Sequence, residues 1–135
     1  SFDHHCARGL EPDRQRIAKL FSSAPENMST GELAVHTLLR ANHDPEIMVA
    51  LGPQSRRFVK LGQFCQLIEA QGYGQEGPLL VNGRANIAYI LDENGAPWAV
   101  SAYWYPSYGD WFVFVSSVAY LDEWDAGLRV LSQVA

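Results

Sequence analysis

The chain has 135 residues, a formal net charge of −5, 47% hydrophobic residues and 19% charged residues. This composition predicts one globular domain over residues 1–135. Capture of nucleic acid needs clustered Lys and Arg side chains, so the acidic balance argues against a nucleic-acid partner. The sequence has no run of about 18 apolar residues, the length that a membrane-spanning helix requires, and we therefore expect no membrane partner.

The first residues of the chain predict a flexible arm followed by two helices. Residues 1–10 show no periodicity and are interpreted as the arm. Apolar residues at helical spacing predict a helix near 12–23. Ser29 and Glu32 match a capping box, in which the two side chains satisfy free backbone N–H groups, and they predict a second helix that ends near Asn42.

Two further helices complete the helical part of the chain, residues 11–72. Asp44 as the N-cap, with Pro45 at the first helical position, predicts a short helix to Leu51. The apolar spacing over 54–71 predicts another helix, which we expect to pack across a sheet.

The C-terminal part, residues 78–135, has the alternating pattern of β-strands. Asn94-Gly95 between two apolar runs predicts a type I′ hairpin turn, and residues 107–110 close another hairpin. Loops this short join antiparallel neighbours, so the strands are predicted to form a meander. The predicted strands are 79–82, 86–92, 97–105, 111–120 and 127–134.

Helices followed by strands are the order of an α+β fold. We predict N-terminal helices packed on one side of a C-terminal four- to five-stranded antiparallel β-meander. The predicted strands 97–105 and 111–120 carry no charged residue in their interiors, so both faces should be mostly covered. The face without helices then needs sheet curvature, a barrel-like closure or a binding partner to cover it.

The two cysteines, Cys6 and Cys65, are too few for a disulfide scaffold. In an exported protein they could form one disulfide that ties the N-terminal arm to a helix. In a cytosolic protein Cys65 is interpreted as a small buried apolar residue. The sequence leaves both interpretations, and the compartment, open.

Residues 103–111 place five aromatic side chains around a Pro/Gly turn. Tyr and Trp have a polar tip on an apolar ring and are common at interfaces, where they lie partly exposed. We therefore predict a partner-binding site at the tip of this hairpin. Its residues are Tyr103, Tyr105, Tyr108, Asp110 and Trp111, whereas the neighbouring aromatics Trp98, Phe112 and Phe114 are interpreted as core.

Three other groups of reactive residue types do not make a specific site. A structural zinc site needs four ligands, and one cluster at residues 3–6 supplies no second pair. A cysteine nucleophile needs a histidine within reach, which no local motif provides for Cys65 with His36 or His43. The acidic residues lack the geometry of a glycosidase pair or a calcium loop; they are Asp110, Asp122, Glu123 and Asp125. We predict no catalytic residue, no metal and no cofactor.

The sequence therefore favours a small acidic, non-enzymatic module that binds another protein, of which an inhibitor or immunity protein is one form. A ligand-binding or enzymatic pocket between the helices and a curved sheet is the first alternative. A carbohydrate-binding surface made by the same aromatic residues is the second alternative. A filled interior with exposed aromatics favours the first hypothesis, and a deep polar cavity favours the pocket.

Overall fold

The computed structural model describes residues 20–21, 32–119 and 123–134, and these residues form an α+β fold. Leu20 and Phe21 are helical, while the predicted arm and the rest of the helix predicted near 12–23 lie outside the described residues. The helices are α1 Asp44–Leu51, α2 Gln54–Arg57 and α3 Leu61–Ala70, and the strands are β1 Leu33–Thr37, β2 Asn86–Leu91, β3 Pro97–Tyr105, β4 Asp110–Ser117 and β5 Arg129–Gln133.

The five strands form one sheet in the order β1-β5-β2-β3-β4. Strands β2, β3 and β4 are antiparallel neighbours, as predicted. Strand β5 pairs antiparallel with β1 but parallel with β2, so the prediction of a purely antiparallel sheet is wrong. The adjacent residues Val130 and Leu131 point to opposite faces and are both buried, and a strand that is apolar on both faces is most stable inside a sheet.

Strand β1 occupies part of the segment that was predicted as the second helix. Its residues pair with β5 from Leu33 opposite Gln133 to Thr37 opposite Arg129. Local capping signals are weak compared with a ladder of strand hydrogen bonds, and tertiary pairing overrides them here. The proposed cap residue Ser29 lies outside the described part of the chain.

The helix predicted over 54–71 is broken into α2 and α3. Phe58 has extended backbone angles at the end of α2 and forms an isolated parallel bridge with Tyr89 of β2. The Val59 N–H donates to the Tyr89 carbonyl at 2.8 Å. This contact with the sheet replaces the intrahelical hydrogen bonds that a continuous helix would need.

The short strand predicted at 79–82 is not a strand in the structure. Its backbone bonds instead with buried side-chain amides. The Leu79 N–H donates to Gln71 Oε1 at 2.9 Å, and Gln71 Nε2 donates back to the Leu79 carbonyl at 3.0 Å. Asn86 binds Leu80 in the same two-way manner at 2.7 and 3.1 Å, so these amides take the place of a neighbouring strand.

The buried side chains form two clusters, and neighbouring residues of a strand belong to different clusters because their side chains point to opposite faces of the sheet. One contains Phe64 and Ile68 of α3 together with Val100 of β3. The other contains Ile47 of α1 together with Ala99 of β3. The buried residues of α1 and α3 therefore belong to two clusters, whereas the sequence predicted one helix-covered side.

The turn between β2 and β3 differs in type from the prediction. Asn94 does not have the positive φ that a type I′ turn requires, while Gly95 has a φ of 80°. The Asp92 carboxylate accepts the N–H groups of Asn94 and Ala96 and the indole N–H of Trp98. These bonds, that of Trp98 above all, lower the pKa of Asp92 and favour a three-residue loop with glycine in the left-handed position.

Cys65 is fully buried in α3 and is disulfide-bonded. The one other cysteine of the sequence, Cys6, lies outside the described residues. The disulfide removes the interpretation of Cys65 as a free buried thiol. It also removes Cys65 as a candidate nucleophile, since a thiolate is required for that chemistry.

Candidate functional site

The hairpin of β3 and β4 presents aromatic side chains on one of its faces. In the register of the two strands, Tyr103 lies opposite Phe112, and Ser101 lies opposite Phe114. Directly opposite residues and every second residue of a strand share a face. This face, with the residue Tyr108 of the connecting turn, is called the aromatic surface below; its residues are Tyr103, Tyr105, Tyr108, Phe112 and Phe114.

The rings of the aromatic surface contact one another continuously. Tyr105 has ring centroids 5.8 Å from Tyr103 and 5.1 Å from Phe112. Tyr108 lies 5.5 Å from Phe112, and Tyr103 lies 5.5 Å from Phe114. Each such pair stabilises a structure by about 0.5–1.5 kcal/mol beyond its buried area, so part of what these rings do is to hold the hairpin together.

The turn fixes Tyr108 at the tip of this surface. The N–H groups of Tyr108 and Gly109 both donate to the Tyr105 carbonyl, at 3.0 and 2.9 Å. Gly109 has a φ of 64°, a conformation that glycine adopts without steric cost. Tyr108 is 74% exposed and is joined by ring contacts to Tyr105 and Phe112, so it belongs to a contiguous exposed patch, the kind of surface that marks interaction sites.

Tyr103 and Tyr105 are partly buried on the aromatic surface. Burial raises the pKa of the Tyr103 phenol. Phe112 and Phe114 were predicted to be core residues, but they are partly buried. Alternation along β4 puts the two rings on one face, whereas the register with β3 that brings them beside the tyrosines cannot be predicted from one strand alone.

Trp111 is not part of the aromatic surface. It is 1% exposed and faces the opposite side of the sheet, where it packs against Trp104 with ring centroids 5.8 Å apart. Its indole N–H donates to the Gln71 carbonyl at 2.8 Å. The inclusion of Trp111 among partner-contacting residues is therefore corrected, because its side chain has no access to a partner.

Asp110 lies at the edge of the aromatic surface, opposite Tyr105 in the strand register. One of its carboxylate oxygens accepts the N–H of Trp111 at 2.9 Å. Of the five residues predicted for the site, the structure thus brings Tyr103, Tyr105, Tyr108 and Asp110 together on one face.

A second chemically distinctive group surrounds Asp44, the only carboxylate among the buried described residues. Its Oδ1 accepts the Tyr89 hydroxyl at 2.6 Å and the Trp124 indole N–H at 2.7 Å. His43, rather than Asp44, is the N-cap of α1, and it makes no side-chain cap bond. The Asp44 carboxylate is turned inward instead, where it connects α1 to β2 and to the segment before β5.

Burial raises the pKa of Asp44, although its hydrogen bonds with Tyr89 and Trp124 and the charge of His43 act in the opposite direction. Burial and the Asp44 hydrogen bond also raise the pKa of Tyr89. Buried carboxyls with raised pKa values are common in active sites. Here both donors come from side chains that pack in the core, which is the pattern of a structural contact.

The raised pKa of Asp44 predicts how stability depends on pH. The folded protein keeps a proton on Asp44 at pH values where the unfolded chain has released it, so this group lowers the stability as the pH rises from about 4 through the folded pKa. Asp44→Asn still accepts both hydrogen bonds but cannot ionise. We expect the variant to gain stability relative to the wild type as the pH rises, by at most about 1.4 kcal/mol per pH unit.

Urea unfolding of both proteins between pH 4 and pH 8 measures this difference. Glu46→Gln, an exposed carboxylate on the same helix, is the matched control and should follow the wild-type curve. If the free energies of unfolding of the wild type and Asp44→Asn run parallel across this range, Asp44 has the same pKa in both states.

The remaining candidate groups do not come together where the structure describes them, and the cluster at residues 3–6 lies outside the described residues. Within residues 20–21, 32–119 and 123–134, no group of three or more His, Cys, Asp or Glu side chains is placed to hold a metal ion. His36 instead bonds with the Ser132 hydroxyl through Nε2 at 2.8 Å. Glu123 and Asp125 are exposed, and Asp122 lies outside the described residues.

None of the helices in the described part of the chain combines the length and the apolar character needed to cross a membrane. Comparison of the chain with protein-family models, with curated proteins and with solved structures found no match. The aromatic surface and the Asp44 group are therefore interpreted from their geometry alone.

Proposed function

We propose that this chain is a non-enzymatic binding protein that contacts another protein through the aromatic surface. The observation that carries the proposal is the position of Tyr108, which is 74% exposed yet joined by ring contacts to Tyr105 and Phe112. Protein interfaces are enriched in such preformed aromatic groups, since few rotamers are lost when a partner docks.

The arrangement of the rings favours a protein partner over a carbohydrate. The planes of Tyr103 and Tyr105 are parallel to within 5°, but those of Tyr105 and Phe112 differ by 66° and those of Tyr103 and Phe114 differ by 82°. The surface therefore presents ring edges as well as ring faces. Such a mixture suits the varied side chains of a protein better than the flat face of a sugar ring.

The interior of the fold favours a binding surface over an enzymatic pocket. The buried side chains that α3 shares with the sheet form an apolar cluster, and the buried polar side chains Gln63 and Gln71 are amides with hydrogen-bond partners. The buried carboxylate Asp44 instead bonds with Tyr89 of the other cluster. A catalytic pocket would need a nucleophile or an acid-base pair at a reachable surface.

Affinity capture from native lysate, with the wild type and matched variants as baits, tests the proposal. The bait is the full chain, prepared under oxidising conditions that keep the Cys65 disulfide. We expect Tyr108→Ala, and more strongly the double variant Tyr105→Ala/Tyr108→Ala, to lose a protein that the wild type retains stoichiometrically. Aromatic residues at the centre of an interface cost about 2 kcal/mol or more when truncated, which is about a 30-fold loss of affinity.

Tyr73→Ala is the control for this experiment, because Tyr73 is a tyrosine that is 81% exposed and lies outside the aromatic surface. It should retain the same protein as the wild type. Tyr108→Ala should lose no more stability than its two ring contacts supply, about 1–3 kcal/mol, and should stay folded without urea, which separates lost binding from lost folding. Retention of an identical set of proteins by the wild type and the double variant would exclude the aromatic surface as the binding site.

A further inference from the structure

The charges of the chain are divided unevenly along its sequence. From residue 85 to residue 128 the sequence contains no Lys, Arg or His. This segment includes β2, β3 and β4, and therefore every residue of the aromatic surface. The charged residues that it does contain are all acidic, namely Asp92, Glu93, Asp110, Asp122, Glu123 and Asp125.

One of these carboxylates borders the aromatic surface in the fold. Asp110 is opposite Tyr105 in the register of β3 and β4. Glu123 and Asp125 are exposed in the segment before β5. The aromatic surface is thus uncharged itself, and its border at Asp110 is acidic.

The arginines around this segment do not belong to the aromatic surface. Arg84 donates to the Ala126 carbonyl at 2.7 Å, and Arg129 of β5 donates to the Pro78 carbonyl at 2.7 Å. Arg40 is exposed two residues before Asn42, which pairs with Trp124. The hairpin with the tyrosines has no cation within its strands or its turn.

We infer that the protein bound at the aromatic surface stacks arginine side chains on the exposed faces of these rings. This inference rests on the proposed function and names the chemistry of its partner. A guanidinium group stacks on the face of a tyrosine or phenylalanine ring and keeps hydrogen-bond donors at its edge for nearby carboxylates. Electrostatic attraction to the acidic border would bring such a partner to this face of the molecule.

Arginine fits this surface better than lysine does. Its planar group can stack flat on an exposed ring such as that of Tyr108, and it loses less hydration on burial than an ammonium group. The phenol hydroxyls of Tyr103 and Tyr105 can accept hydrogen bonds from the guanidinium N–H groups. The expected contact is therefore apolar at the ring faces and charge-assisted at the border.

Short random peptides displayed on phage are the probe for this chemistry. The folded chain with its disulfide selects binders, and the double variant Tyr105→Ala/Tyr108→Ala is used for counter-selection. Selected peptides are then synthesised with arginine and with citrulline, a neutral side chain of the same shape. We expect enrichment of arginine, and a dissociation constant at least about tenfold higher for the citrulline form.

Salt provides a second measurement on the same peptides. Between about 0.1 M and about 1 M NaCl the Debye length falls from about 10 Å to about 3 Å, so the arginine peptides should bind more weakly at high salt. The citrulline forms should show little change. Arginine peptides that bind equally at both salt concentrations would contradict the role of the acidic border.

The outcomes separate this inference from the proposed function. Peptides that require Tyr105 and Tyr108 but bind equally well with citrulline would overturn the arginine inference and leave the aromatic surface as a binding site. A selection in which no peptide distinguishes the wild type from the double variant would count against both. Peptides that lose affinity both in the double variant and with citrulline support both.

Discussion

Replacing Trp111 with alanine is expected to lower the free energy of unfolding by about 3–5 kcal/mol, the range for loss of a large aromatic side chain from a core. Trp111 is 1% exposed, contacts the Trp104 ring and donates its indole N–H to the Gln71 carbonyl at 2.8 Å. The alanine variant would leave both a cavity and a buried carbonyl without its donor. A loss of this size approaches the whole stability of an ordinary domain.

Urea unfolding followed by circular dichroism measures this effect. Trp111→Phe keeps most of the ring volume and loses the indole N–H, so it should fall between the wild type and Trp111→Ala. Phe112→Ala changes the adjacent residue, which faces the aromatic surface and is only partly buried, and it should cost less than half as much. Equal losses for Trp111→Ala and Phe112→Ala would place both rings in the core and weaken the proposed binding surface.

The sequence predicted the hairpins of β2, β3 and β4 because their signals are local. β3 was predicted at 97–105, which are the bounds that the structure shows for Pro97–Tyr105. The alternation of apolar residues and a glycine turn lie within about ten residues of each other in such a hairpin. Local patterns of this kind do not depend on which distant segment completes the sheet.

A strand was predicted at 127–134, where β5 lies, but the strand β1 and the places of β1 and β5 in the sheet could not be predicted in the same way. Their pairing joins Leu33 to Gln133, far apart in the sequence. A segment with Leu, Ala and Val can form either a helix or a strand, and the choice depends on a partner that one sequence does not identify. The parallel contact between Ile87 and Val130 likewise depends on a crossover that no turn motif marks.

For the candidate site, the alternation of side chains along a strand predicts which residues are exposed better than closeness to the turn does. Alternation places Tyr103 with Tyr105 on one face of β3 and Trp111 with Val113 and Val115 on one face of β4, and the latter face is buried. Trp111 was nevertheless assigned to the site because it lies beside the turn. Its burial shows that the two-residue period already holds at the second residue of β4 after the tight turn.

The contacts of the Asp44 carboxylate could not be predicted from the sequence, for a different reason. Asp-Pro-Glu is a common start of a helix, and this pattern correctly predicted α1. It did not predict that the carboxylate would bind Tyr89 and Trp124, which lie 45 and 80 residues away in the sequence. Contacts between a buried carboxylate and distant donors depend on the assembled fold, so they leave no local signal.

Replacing Gly74 with alanine is expected to destabilise the protein by about 2–5 kcal/mol. Gly74 has a φ of 71°, and a methyl group built on it would overlap the indole ring of Trp104. The left-handed conformation costs a residue other than glycine about 1–2 kcal/mol. Forcing extra volume into a packed core costs about 1–3 kcal/mol more, because Trp104 would have to move.

Gly95→Ala separates these two causes. Gly95 has a similar φ of 80°, but a methyl group there would meet nothing within 4 Å, so this variant should lose only the conformational part. The free energies of unfolding of the two variants should then differ by about 1–3 kcal/mol. A larger loss in Gly74→Ala means that the loop after α3 holds Trp104 against Trp111, whose indole N–H binds the carbonyl of Gln71 in that same loop. Equal losses would show that Trp104 moves aside without cost, and that the core behind the aromatic surface is less tightly packed than its burial indicates.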